Sequence, residues 1–319
     1  MLKIKMKITL PSTIKAILSG LMLIYLFNKY DFSKVYINFN FFNALVAIFF
    51  CSICLFIQGI LSSIRLQNIA NYLKTKIEFK SVWEASSIGG LYSHTPLSFI
   101  GGDLMRIITL SKLGISIKRL TAMVFLDRLF GILGLMTLCT FFVSTMCIIL
   151  LLEPDYFKSK SIFAFVIIPI FTLTSYIFLD EKIQGLLLKL LPKKIRAFLK
   201  YSVSFAKTIR CQLSFLLLIS NLAYIFAIFG FLAINFSLDL GIPYQTIIFF
   251  IPLAIFVSLI PISLGGWGLR EGATVYILGK QGISPEISMV LSITYGISVF
   301  LAFIPGSITH VTRRLKVKI

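Results

Sequence analysis

Two stretches decide the fold of this 319-residue chain: TPLSFIGGDLMR at residues 95–106 and IPISLGGWGLR at residues 260–270. Each contains Pro-x-Ser, then one or two residues, then Gly-Gly-x-x-x-Arg, and each is followed by Gly-Ile-Ser. Proline and glycine interrupt helices, and charges at membrane depth are costly. Irregular backbone is tolerated there only where it is buried in protein or lines a cavity. We therefore predict that residues 81–105 and 245–280 form broken, re-entrant hairpins.

The composition around these stretches is that of a membrane protein. Apolar residues make up 58% of the chain, charged residues 13%, and the mean hydropathy is +0.95. Apolar runs of about 18 residues or more are typical of transmembrane helices. We predict an all-α, polytopic integral membrane helical bundle in which residues 1–319 form a single integral domain. The six predicted full spans are residues 13–30, 41–64, 121–152, 161–180, 212–235 and 287–309.

The basic residues predict the topology. The net charge is +19, and five segments hold 25 of the 31 Lys and Arg residues. Basic loops stay on the cytoplasmic side, so residues 81–105 should return to the side they entered from, and residues 245–280 should either do the same or cross twice. We predict six spans with both termini cytoplasmic in the cytoplasmic (inner) membrane; eight spans is the alternative. The five segments are residues 1–15, 65–80, 106–128, 182–210 and 313–318.

This topology divides the chain into two halves of opposite orientation. Residues 10–152 and 161–312 each then contain two spans, a broken hairpin and one more span. Inverted repeats of this kind are common in transporters, whose binding site lies near the bilayer midplane where the broken helices meet. Residues 182–210 carry eight basic and no acidic residues. They form either a basic helix on the cytoplasmic membrane surface or a solvated linker.

Other functional classes find little support. The basic residues lie in short loops between apolar spans, with no basic stripe for nucleic acid, so we expect no nucleic-acid partner. The chain has no P-loop, dinucleotide fingerprint, nucleophile elbow or zinc-protease motif. With only two histidines, there is no obvious metal ligand set, and we expect no cofactor. Asp103 and Asp127 could form an acid/base pair, as in a membrane transferase, but neighbouring arginines favour their ionised form, which suits anchoring better than proton transfer.

The charges inside apolar sequence are the candidate site. Asp103 and Arg106 are three residues apart and share a helix face, whereas adjacent Asp127 and Arg128 point in different directions. One of the latter two therefore needs a partner elsewhere, such as Asp103 for Arg128. Glu84 is a further candidate.

The glycine pairs Gly101-Gly102 and Gly265-Gly266 suit tight turns or close helix approach. A half-helix that begins there directs free N–H groups inward, and an arginine one turn later suits phosphate. This predicts an anionic lipid headgroup site; the alternative is structural packing and pairing.

Three motifs resemble the lysylphosphatidylglycerol synthase transmembrane-region family, also called flippase-like domain proteins. They are Gly-Gly-Asp-x-x-Arg at 101–106, Asp-Arg at 127–128 and Pro-x-Ser-x-Gly-Gly-x-Gly-x-Arg-Glu at 261–271, and the likeness covers about residues 10–310. The resemblance implies a helical membrane domain that moves or holds lipids, without the synthase domain. By motif match it implies a site made of Gly101, Gly102, Asp103, Arg106, Asp127, Arg128, Gly265, Gly266, Gly268, Arg270 and Glu271.

Our leading functional hypothesis is therefore a flippase-like protein without enzymatic activity. It binds or translocates an anionic phospholipid or a polyprenyl-phosphate-linked lipid between leaflets, so that membrane lipids are its partners. The alternative is a non-transporting membrane partner of a glycosyltransferase or of a lipid-modifying enzyme.

Overall fold

The chain is helical throughout the part that the structure describes. This structure, a computed structural model, describes residues 10–30, 40–94, 101–152, 212–260 and 265–309. The all-α prediction is confirmed for these residues, which contain no strand. The predicted span at 161–180 and the basic segment at 182–210 lie outside them. The helices are α1 (Leu10–Lys29), α2 (Phe41–Tyr72), α3 (Phe79–His94), α4 (Gly102–Ser111), α5 (Ile117–Leu152), α6 (Leu213–Ser237), α7 (Tyr244–Ser258), α8 (Leu269–Gly279) and α9 (Pro285–Ala302).

Four helical stretches are long and apolar enough to cross a bilayer. They are Phe41–Tyr72, Ile117–Met146, Leu213–Ser237 and Pro285–Thr309, and they contain most of four predicted spans. Shorter apolar helical stretches cover Ile17–Lys29 and Tyr244–Ser258. The outward faces of the bundle are apolar; Phe41 and Phe42, for example, are 72% and 69% exposed. Because water would not tolerate such surfaces over whole helices, the chain is a multi-pass membrane protein.

Helices α2 and α6 form the centre of the bundle and make its most extensive helix contact. Near the end of α2, Arg65 Nη1 donates a hydrogen bond to Ser220 Oγ near the start of α6, over 3.0 Å. Earlier in α2, Cys51 Sγ lies 3.0 Å from where a Cβ on Gly230 would be, late in α6. The two helices are therefore antiparallel, and small residues at their interface permit the close approach.

The remaining helices surround this pair in matching ways. In the first half α3 packs on α2 and on α4, and α5 packs on α4, α6 and α7. In the second half α7 packs on α6 and on α8, and α9 packs on α8, α2 and α3. Each of these contacts therefore has a counterpart in the other half, where α2, α3, α4 and α5 correspond to α6, α7, α8 and α9. Helix α1 also packs on α8; the predicted span at 161–180 lies outside the described residues.

The ends of α2 and α6 also match in local structure. After α2, the backbone oxygen of Ile77 accepts a hydrogen bond from Gln67 Nε2 over 3.2 Å. After α6, the oxygen of Ile242 accepts one from Asn235 Nδ2 over 2.9 Å. In each case a side-chain amide near the end of the long helix holds the loop that leads to the next, shorter helix.

The two glycine pairs act differently. A Cβ on Gly102 would overlap the carbonyl oxygen of Gly89 and Ser93 Oγ, so α4 packs backbone to backbone on α3. Gly101 has no neighbour within 4 Å of such a Cβ and an extended backbone (φ −53°, ψ 140°). Gly265 and Gly266, by contrast, have φ of 60° and 80°, which side chains rarely adopt. The first pair therefore serves packing, and the second serves a turn.

We expect Gly102→Ala to destabilise the protein by about 1–3 kcal/mol, because the added methyl group forces α3 and α4 apart. Gly101→Ala is the matched control and should be neutral, since its Cβ would meet open space. Thermal unfolding of the two purified variants in detergent measures the difference. Equal melting temperatures for both would contradict the close contact between α3 and α4.

Candidate functional site

A buried carboxylate lies between two arginines within the first half of the bundle. Asp127 of α5 accepts a hydrogen bond from Arg65 Nε of α2 over 2.7 Å and another from Arg106 Nη1 of α4 over 3.3 Å. Asp127 is 1% exposed, Arg65 6% and Arg106 8%. Since Arg65 also donates to Ser220, the group joins four helices. Buried charges need such pairing to be tolerated away from water.

A second ion pair beside this group is accessible. Arg128 Nε lies 3.0 Å from both carboxylate oxygens of Asp103, and Arg128 Nη2 lies 2.8 Å from Oδ1. Their side chains are 44% and 42% exposed. Arg106 Nη1 is 3.9 Å from Asp103 Oδ1 and connects this pair to the buried one. We call the five residues Arg65, Asp103, Arg106, Asp127 and Arg128 the first cluster.

The first cluster confirms several sequence predictions. Asp103 is the partner of Arg128, adjacent Asp127 and Arg128 point to different partners, and Asp103 and Arg106 share one face of α4. Glu84 is buried in the middle of α3, at 3% exposed.

Sequence analysis missed Arg65 by assigning it to a cytoplasmic loop. In the structure α2 continues to Tyr72, and Arg65 lies on its buried face with Leu66 and Ile69. The available signal was the uninterrupted helical spacing of apolar residues on both sides of this arginine.

The second hairpin holds a different arrangement. Glu271 Oε1 accepts hydrogen bonds from Arg270 Nη2 over 2.6 Å and Nε over 3.0 Å. Its Oε2 accepts from the backbone N–H of Gly268 over 2.6 Å, and Ser292 of α9 contacts both side chains. Arg270 is 4% exposed and Glu271 0%. The acid therefore stabilises the start of α8 as well as the arginine, and the pair is internally satisfied.

Aromatic rings and a glycine enclose Arg270. Its guanidinium carbon lies 5.0 Å from the centre of the Trp267 ring and 5.7 Å from that of Tyr295. Tyr295 in turn stacks on Phe231 of α6, with ring centres 4.0 Å apart. A Cβ on Gly296 would overlap Arg270, so only glycine leaves room for the guanidinium there. Arg270, Glu271, Trp267, Tyr295 and Ser292 are the second cluster.

The structure does not bring the two clusters together. Tyr295 lies near Gly230, which packs on Cys51 of α2, whereas the first cluster includes Arg65 of α2. The fourteen residues from Cys51 to Arg65 correspond to about 20 Å of helix. The two clusters are therefore separate along α2, whereas the sequence predicted a site where the hairpins meet. Sequence spacing showed the likeness of the hairpins but not their separation.

The clusters differ in charge and in chemistry. The first contains three arginines and two aspartates, a surplus of one positive charge, and its outer pair is accessible. The second contains one arginine and one glutamate, both enclosed. No group of three or more His, Cys, Asp and Glu residues in the described ranges is placed to hold a metal ion. Arg128 is thus an accessible cation, whereas Arg270 is enclosed and paired with Glu271.

We expect Asp127→Asn to destabilise the protein by about 3–5 kcal/mol, because two buried arginines lose their counter-charge. Asp103→Asn provides the comparison: its carboxylate is half-exposed, and the expected cost is at most about 1 kcal/mol. Denaturant titration in mixed detergent micelles measures both. A similar cost for the two variants would show that burial does not distinguish these ion pairs.

Comparison with known proteins places the chain in a family. The search of curated proteins finds no match. The family model described as lysylphosphatidylglycerol synthase TM region matches residues 12–306, which include both hairpins and both clusters. The chain belongs to the lysylphosphatidylglycerol synthase TM-region family.

Proposed function

We propose that this protein binds an anionic or phosphate-bearing lipid by its headgroup and moves it between the leaflets of the cytoplasmic membrane. The observation that supports this proposal most directly is the first cluster, which has one surplus positive charge and an accessible Arg128. The planar guanidinium edge of arginine is suited to phosphate. Membership of a family named for an enzyme of phosphatidylglycerol modification supports a lipid substrate. A polyprenyl-phosphate-linked lipid offers the same phosphate chemistry.

The proposed architecture is six spans with two re-entrant hairpins in an inverted repeat. The side chains of Arg65, Arg106 and Asp127 are in contact. Arg65 lies seven residues before the end of α2, Arg106 five residues before the end of α4, and Asp127 ten residues after the start of α5. The short link from α2 to α3 brings the start of α3 to that same side. The α3–α4 pair therefore enters and leaves at one side, which supports a re-entrant hairpin.

The second half supports the opposite orientation. Arg270 is in contact with Tyr295. Arg270 lies nine residues before the end of α8, and Tyr295 lies ten residues after the start of α9. This supports α7 and α8 entering and leaving on one side as well. Because α2 and α6 are antiparallel, that side is opposite to the first. Lysines such as Lys74 and Lys112 flank the first hairpin. The positive-inside rule favours a cytoplasmic location for that side, and with it cytoplasmic termini.

This arrangement supports alternating exposure. One cluster lies toward each leaflet, about 20 Å apart along α2, with the first accessible and the second enclosed. Inverted repeats open to one side by the motion that closes the other. We infer that a headgroup enters at the first cluster and leaves near the second after the halves exchange conformations.

Reconstitution tests the proposal. The purified full chain in liposomes should move fluorescent phosphatidylglycerol between leaflets, measured by dithionite quenching. Arg128→Gln should reduce the rate by about tenfold or more, because the phosphate loses a charge-assisted bidentate contact. Arg119→Gln, on the same helix outside the first cluster, is the control and should keep the rate.

Two results would count against this function. Unchanged movement in Arg128→Gln would remove the first cluster from the path of the lipid. No movement by the wild-type chain, together with co-purification of a glycosyltransferase or lipid-modifying enzyme, would instead favour a non-transporting membrane partner.

A further inference from the structure

The Asp103–Arg128 ion pair has the geometry by which arginine binds a phosphate. Nε and Nη2 of Arg128 face the two oxygens of the Asp103 carboxylate at 2.8–3.0 Å. A phosphodiester presents two oxygens to the same guanidinium edge. In the structure, Asp103 thus occupies the position that a headgroup phosphate would take.

Accessibility distinguishes this pair from the others of the first cluster. Arg128 and Asp103 have side chains 44% and 42% exposed, whereas those of Arg106 and Asp127 are 10% and 2% exposed. Arg65 is as enclosed as Arg106. A lipid that approaches from outside can therefore compete for Arg128, while the pairs around Asp127 remain intact.

Arg106 offers a second partner for a displaced Asp103. The two residues are three positions apart on α4, and Arg106 Nη1 is already 3.9 Å from Asp103 Oδ1. Arg106 Nε is buried and has no hydrogen-bond acceptor among the described residues. Asp103 therefore needs only a side-chain rotation to exchange one arginine for the other.

We propose that a lipid phosphodiester displaces Asp103 from Arg128, that Asp103 then pairs with Arg106, and that this exchange selects headgroups with a single negative charge. The inference rests on the proposed function for the location of the headgroup, and it adds the charge class of the substrate. Asp103 is a specificity residue that remains beside the bound phosphate.

The charge balance of the first cluster carries the selectivity. Three arginines and two aspartates leave one positive charge, which one phosphodiester neutralises. A phosphomonoester carries a charge of about −1.5 to −2 near pH 7, and the excess would lie beside the Asp103 carboxylate. Like charges at this separation repel. The site therefore takes a phosphodiester in preference to a phosphomonoester.

Lipid binding to the purified full chain in neutral detergent tests this directly. Native mass spectrometry at pH 7.5 should show tighter binding of dioleoyl phosphatidylglycerol than of dioleoyl phosphatidic acid. In Asp103→Asn the preference should disappear, with phosphatidic acid binding about tenfold more tightly than in the wild type. Asp239→Asn, an exposed carboxylate after α6 with a φ of 48° that asparagine tolerates, is the matched control.

A series of binding measurements at different pH separates selectivity from a purely structural role of Asp103, which would not make the lipid preference depend on pH. Phosphatidic acid loses its second negative charge as the pH falls below about 6, so the wild-type preference should shrink toward pH 5. In Asp103→Asn there should be no preference to lose. Glycerophosphoglycerol, the same headgroup without acyl chains, should not compete; equal affinity for it would overturn the assignment to a lipid.

Three further results would overturn the exchange: an unchanged lipid preference in Asp103→Asn, an unchanged affinity in Arg128→Gln, or a wild-type preference that does not depend on pH. Melting temperatures identify any variant that fails to fold, and Asp103→Glu, which keeps the charge, should then retain the preference. Lipid movement without these binding differences would contradict the exchange alone. These binding differences without lipid movement would contradict transport alone.

Discussion

The carboxylate of Asp127 is the interaction on which the first half of the bundle depends. It is almost completely buried, and it pairs with arginines from α2 and α4. Removing three charges from water costs several kcal/mol per ion, and only close pairing offsets that cost. The carboxylate therefore fixes where α2, α4 and α5 meet, and Arg65 extends the constraint to α6 through Ser220. The short helix α4 has few turns of its own, so this anchor sets its position.

The two halves use one arrangement of helices for two kinds of chemistry. In both, an arginine in the first turns of the second short helix of a hairpin faces the long helix that follows. Arg106 meets Asp127 there, whereas Arg270 meets Tyr295 and carries its own acid, Glu271. The first arrangement shares charges between helices and leaves Arg128 accessible. The second has no net charge and is enclosed, so the two halves do not contain equivalent sites.

Much of this was predictable from the sequence, because charges and helix breakers are rare in apolar segments. The breaks between short helices, the Asp103–Arg128 pair and the family follow from such residues. Arg65 was missed because positive charges near a span end are usually loop charges, and this expectation outweighed the helical spacing of apolar residues around it. The separate roles of the glycine pairs were not predictable, since close packing at Gly102 and the left-handed turn at Gly266 depend on tertiary contacts. The separation of the clusters likewise depends on the antiparallel packing of α2 and α6.

The accessibility of Arg128 and Asp103 is the feature that packing alone explains least. Arg128 lies eleven residues into α5, about 16 Å along the helix from its start. In a helix that crosses a membrane an ion pair in contact with hydrocarbon is costly, and Arg106 and Asp127 of the same cluster are only 10% and 2% exposed. Water or a lipid headgroup must therefore solvate this pair. The proposed headgroup would also supply the negative charge that the cluster lacks, which water does not.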